Sequence, residues 1–127
     1  MPANQREFTR VTVAIHAELR VGGTVIIHGK LENVSFKGLL LRCDAALPEQ
    51  TPCLVFLQLD GGQGGPTIEA QGVVVRHDPH TIAVQFIELV GLKSAQHLRA
   101  LVLYNGGTKG DLIEEEFRSH MGLHPKS

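Results

Sequence analysis

Arg6 and Arg10 stand four residues apart in the polar stretch that opens the chain, and Asn33-Val34-Ser35-Phe36-Lys37-Gly38 follows more than twenty residues later. A guanidinium offers a planar fork of donors that clamps phosphate oxygens, meets the O6/N7 edge of guanine, or stacks on a base. The Asn33 amide both donates and accepts, and the Ser35 hydroxyl donates to a phosphate or a carbonyl oxygen. Gly38 has no Cβ, so the backbone there bends sharply or lets a ligand approach closely. Together these groups suit a small phosphorylated, base-bearing ligand. Taken singly, the arginines also read as solvated charges on an arm and residues 33–38 as an ordinary turn, and neither pattern alone is rare.

Whether the two groups act together depends on the elements between them. Residues 1–10 show no period and read as a mobile arm. Val11, Val13, Ile15, Ala17 and Leu19 alternate with polar residues, which predicts a strand buried on one face. Gly22-Gly23 supplies a tight turn, and Val25, Ile27 and Leu31 are the inward residues of a second strand. In such a hairpin the start of the first strand lies beside the end of the second, so Arg6 and Arg10 are predicted neighbours of Asn33–Gly38.

Leu39, Leu41 and Cys43 continue the pattern, Leu54–Leu59 reads as a strand with a short helix as the alternative, and two strands around Asp78-Pro79 complete about six. Short connections favour a small six-stranded antiparallel barrel, which removes exposed edges by closing. The period then changes. Ala95, Leu98, Leu101 and Val102 predict an amphipathic helix over 92–105, and Asp111 with Glu114 starts a second, striped by Ile113, Phe117 and Met121. That stripe packs on the barrel or serves a partner. The expected organisation is one domain: an arm over 1–10, a barrel over 11–90 and a helical segment over 91–127.

Composition excludes several classes. With 12 Lys+Arg against 13 Asp+Glu the chain lacks the basic balance of a general nucleic-acid binder, and it has no Trp and one Tyr to stack on single strands. No apolar run is long enough to span a membrane and no signal segment opens the chain, so a cytoplasmic protein is expected, with Cys43 and Cys53 as free thiols. The seven histidines lack the spacing of a metal site; His77 with His80 and His120 with His124 read as surface residues, and no metal or cofactor is expected. No GxSxG, P-loop or carboxylate pair marks an enzyme.

An RxxxR before the first strand, followed by [DN]xSxxG at the end of the first hairpin, resembles the signature of the PilZ family of bacterial cyclic di-GMP receptors. Gly72-Val73-Val74-Val75, Ala83-Val84-Gln85-Phe86 and the trailing helix with His97-Leu98-Arg99-Ala100-Leu101-Val102 resemble later parts of stand-alone members. The resemblance implies a six-stranded barrel with C-terminal helices. It also implies that Arg6 and Arg10 grip guanines and phosphates, and that Asn33, Ser35 and Gly38 contact a guanine and the ligand backbone. Asn33 stands where an acidic residue is common, which weakens its acceptor strength toward guanine N–H groups. Gln5 stands where a further arginine favours a stacked pair of ligands, which leaves one or two molecules per site open and leans toward one. The tryptophan of some relatives has Val75 as its nearest counterpart, leaving Arg76 as the candidate to stack on a base. The expected action is a ligand-ordered arm read by a downstream protein, in a monomer or weak dimer with no DNA, RNA or membrane partner. The rival is a PilZ-type interaction module that binds no nucleotide; retention of both arginines favours the receptor.

Overall fold

The computed structural model describes residues 9–13, 15–59 and 66–117. Alternating apolar residues form β1 (Val11–Thr12), β2 (His16–Val21), β3 (Val25–Val34), β4 (Gly38–Arg42), β5 (Pro52–Gln58), β6 (Thr67–Asp78) and β7 (Thr81–Leu89). Every pairing is antiparallel. The order β3-β2-β5-β6-β7-β4 returns to β3 through the β3–β4 pairing, closing a six-stranded barrel, with short β1 added beside the far end of β3. Closure leaves these six strands no open edge.

The inward faces supply the core. Leu19, Leu31, Leu41, Val55, Leu57, Ile68 and Ile82 are all at most 2% exposed, and each such side chain stabilises the fold by about 1.5–3 kcal/mol relative to exposure. The stretch Leu54–Leu59 is strand rather than helix, because Pro52–Gln58 pairs with β2 on one side and β6 on the other. At the β2–β3 turn Gly22 (φ 65°) and Gly23 (φ 79°) both occupy the left-handed region, the conformation that glycine adopts without steric cost. Outside the barrel, the Arg20 guanidinium lies 4.2 Å from the centre of the Phe56 ring and bonds Glu18 at 2.5 Å, which explains how Glu18 is tolerated at 9% exposure.

Two details differ from the sequence pattern. The first apolar run is two strands, not one: β2 pairs with β3 as far as His16 opposite Lys30, and β1 pairs again at Thr12 opposite Asn33 with its register shifted by one residue. Val25 is 48% exposed rather than inward, since it sits at the hairpin tip opposite Val21, where the strands run past the core.

After β7 the chain forms α1 (Leu92–Tyr104), a 3-10 turn (Gly107–Lys109) and α2 (Gly110–Phe117). α1 buries Ser94, Leu98 and Val102, and the Ser94 hydroxyl accepts the Glu69 N–H of β6 at 2.9 Å. α2 buries Ile113 completely. Met121 and the Phe117 side chain, the rest of the expected stripe, lie outside what is described. No helix among the described residues is long and apolar enough to cross a membrane.

Cys43 and Cys53 are free and buried, and burial pushes the Cys53 thiol from 9.0 up to about 11. The folded protein therefore holds the Cys53 proton more tightly than the unfolded chain. Its contribution to stability is complete below pH 9 and is lost as pH rises through about 11. Cys53 should resist iodoacetamide at pH 8 in native protein and react at the ordinary rate in urea, as followed by peptide mass spectrometry.

Candidate functional site

The site begins with a slip of one residue in β3. Ile27 and Leu31 point inward, and the same parity carried onward would bury Asn33. Instead Leu31 opposes Leu41 while Asn33 opposes Leu40, so Glu32 is an extra residue on β3. This β-bulge reverses the alternation: Val34 turns inward, fully buried, and Asn33 turns out. The bulged Glu32 is paired with Arg42 of β4.

β1 completes the arrangement. Val11 opposes Val34 and Thr12 opposes Asn33, so Thr12 and, by parity, Arg10 lie on the outer face. The Arg10 Nη1 donates to the Asn33 Oδ1 at 2.6 Å. The two motifs thus meet in space through one member of each. Arg6 and Gln5 lie outside the described residues.

Ser35 and Gly38 sit in the turn that follows Asn33. The Ser35 N–H donates to the Gly38 carbonyl at 2.9 Å, and the Ser35 Oγ accepts the Lys37 N–H at 3.1 Å. Ser35 is 2% exposed and Phe36, beside it, 1%, so the turn is anchored in the core. At Gly38 a Cβ would collide with the Val84 carbonyl oxygen of β7. The Lys37 carbonyl accepts the Phe86 N–H at 2.7 Å, fastening the turn to the same strand. Ser35 and Gly38 therefore shape the turn, while Arg10 and Asn33 present polar groups to the outer face.

A second bulge brings in Arg76. Val74 opposes Val84 but Arg76 opposes Ala83, so the extra residue on β6 is Val75, 39% exposed, and Arg76 takes the outward place opposite Ala83. One row of outward residues then runs Thr12, Asn33, Leu40, Ala83, Arg76 across β1, β3, β4, β7 and β6. Three strand spacings separate Asn33 from Arg76, roughly 14 Å. Leu40 and Ala83 form a low apolar floor between a rim bearing Arg10 and Asn33 and a rim bearing Arg76. Arg76 lies 3.7 Å from Asp78, both well exposed, a pair that costs little to break.

Sequence reasoning gave the end of α2 no part here. Glu116 is 8% exposed, and it reaches Thr9, inside the RxxxR: Oε1 accepts the Thr9 N–H at 3.0 Å and Oε2 the Thr9 hydroxyl at 2.7 Å. No local spacing signals this contact, because the two residues lie 107 apart in the chain.

A cavity of about 700 Å³ lies elsewhere, at the hairpin end of the barrel, lined by Arg20, Gly22, Gly23, Leu54 and Ile87 among others. It contains none of the motif residues. His16 and His28 stack with centroids 5.5 Å apart on the outer face, and among the described residues no group of three or more His, Cys, Asp or Glu is placed to hold a metal.

Comparison with known proteins agrees with the fold. The model of the PilZ domain matches residues 4–104, and the chain belongs to that family. Among solved structures it is similar to the Bacillus subtilis inhibitor of motility MotI/DgrA, with a TM-score of 0.65 and 14% identity over 82% of this chain. The chain spans 52% of that protein's length. It is also similar to the PilZ domain of CeSA from a cellulose-synthesizing bacterium (TM-score 0.57, 18% identity, 80% of this chain and 98% of that one). A third similar structure is the PilZ domain of Escherichia coli YcgR with c-di-GMP (TM-score 0.63, 12% identity, 91% of this chain and 95% of that one). At these identities the structural likeness is one of fold. No curated protein matches the chain by sequence.

Gly38→Ala tests the structural role of that glycine. Urea unfolding of the ligand-free protein should show a loss of about 1–3 kcal/mol or more, the usual cost of forcing atoms into a packed site. Unchanged stability would return Gly38 to a role in ligand contact alone.

Proposed function

We propose that the chain is a cyclic di-GMP receptor that takes the dinucleotide on the outer face of the barrel, over the row from Asn33 to Arg76. The observation that carries the reading is the 2.6 Å bond between Arg10 and Asn33, which joins the two motifs at one place on that face. Family membership supports it, as does the likeness to a PilZ domain solved with this ligand.

In this reading Arg10 and Arg6 meet the phosphates and guanine edges, and Asn33 meets a guanine. Ser35 and Gly38 act by holding the turn that fixes Asn33. The Leu40–Ala83 floor admits a flat base, with Arg76 at its far rim placed to stack on it. Gln5 replaces a further cation, which favours one ligand molecule per site. Ligand capture orders the arm and neutralises a cationic surface, and a downstream protein in the cytoplasm reads the change. The ligand leaves chemically unaltered.

Charge-assisted hydrogen bonds contribute roughly 1.5–3 kcal/mol each. Titration calorimetry should therefore show Arg10→Ala weakening cyclic di-GMP binding by about tenfold to a thousandfold, with GTP giving no comparable signal. Affinity should also fall as salt rises, because phosphate–guanidinium attraction is screened. Equal affinity in wild type and Arg10→Ala, or a flat salt dependence, would remove the proposed clamp. No binding at all would leave an interaction module.

A further inference from the structure

We propose that Glu116 of α2 is a positioning residue for the ligand site, holding the arm so that Arg10 stands over Asn33. The inference rests on the cyclic di-GMP reading for its ligand, but the contact that carries it is independent of that reading.

Thr9 directly precedes Arg10 and has both its backbone N–H and its hydroxyl bound by one carboxylate, 107 residues away in the chain. Two donors of one residue, its backbone N–H and its hydroxyl, held by two oxygens of one group, fix orientation as well as position. Residue 10 follows with little freedom, and its side chain lies at Asn33. Without this clamp, what holds Arg10 among the described residues is its own bond to Asn33 and the two-residue pairing of β1 with β3. A ligand would then have to order Arg10 itself, and apparent affinity falls with the fraction of molecules already arranged.

The other end of the clamp is equally well held. Ile113 is fully buried, and Glu114 forms a two-point ion pair with Arg99 of α1, a helix that packs on β6 and buries Leu98 and Val102. Glu116 is thus carried by a rigid support. Its burial disfavours a carboxylate, and the Thr9 donors offset part of that cost. The stretch matching the family ends at residue 104, so a residue outside that stretch serves a motif inside it. Coupling is reciprocal: if α2 steadies the arm for the ligand, the ligand steadies α2.

The test uses the full chain, with calorimetric titration of cyclic di-GMP and hydrogen exchange of the Thr9 amide. In the ligand-free state Glu116→Ala should speed Thr9 exchange markedly. It should also weaken binding about tenfold, within the usual range of such couplings. Glu116→Gln keeps one oxygen for the N–H and an amide that donates to the hydroxyl, and it should restore most of the affinity. In a Thr9→Val background Glu116→Ala should cost less than in wild type, and ligand should slow exchange in α2 of the wild-type protein. Unchanged Thr9 exchange in Glu116→Ala would overturn the clamp. Faster exchange with unchanged affinity would overturn the positioning role. Failure of the wild-type protein to bind would sink the receptor reading and the positioning role with it, while Thr9 exchange would still decide whether the clamp exists.

Discussion

A single extra residue in β3 sets the character of the site. Strand alternation is strict, so every outward group after Glu32 depends on that slip. With it, Val34 enters the core and Asn33 faces out beside Arg10. Without it, an amide would point into a barrel whose interior is Leu, Ile and Val, at the cost of an unpaired polar group. The hydrophobic demand for Val34 and Phe36 thus does part of the work of displaying Asn33. The second slip, at Val75, does the same for Arg76 from the opposite rim.

The rigid part of the site is all barrel. Turn 35–38 is fastened to β7 by the Lys37–Phe86 bond and by a contact close enough to require glycine. Beside it stand Thr9 and Arg10, held by β1 and by Glu116. On the proposed reading, the barrel face sets what is recognised and the segment tied to the C-terminal helix carries the report. Arg10 and Asn33 belong to the two different parts, and their bond is the seam.

Much of this was legible in the residues. Period-two alternation gave the barrel strands, Gly22-Gly23 their first turn, and the change to three- and four-residue spacing gave α1. The adjacency of Arg10 and Asn33 followed from hairpin geometry alone. The bulges did not, because a register slip depends on which neighbour each strand finds, and Glu32 and Val75 carry no local mark of it. Simple parity put Asn33 on the wrong face for a ligand and left the Thr12-to-Arg76 row invisible. Ser35 and Gly38 read as ligand contacts or as turn residues, and their contacts with Lys37 and Val84 came into view only with the fold. The Glu116–Thr9 contact joins the two ends of the chain, a separation over which spacing carries no information.

The most direct test of the outer-face site is an NMR titration of the protein with cyclic di-GMP, following the backbone amides and the Asn33 side-chain amide. The account predicts that Asn33, Thr12, Leu40 and Ala83 shift together, saturating with one ligand per chain, while Gly22 and Gly23 at the distant cavity stay still. Shifts centred on Gly22, Gly23 and Leu54 instead, with Asn33 unmoved, would contradict it.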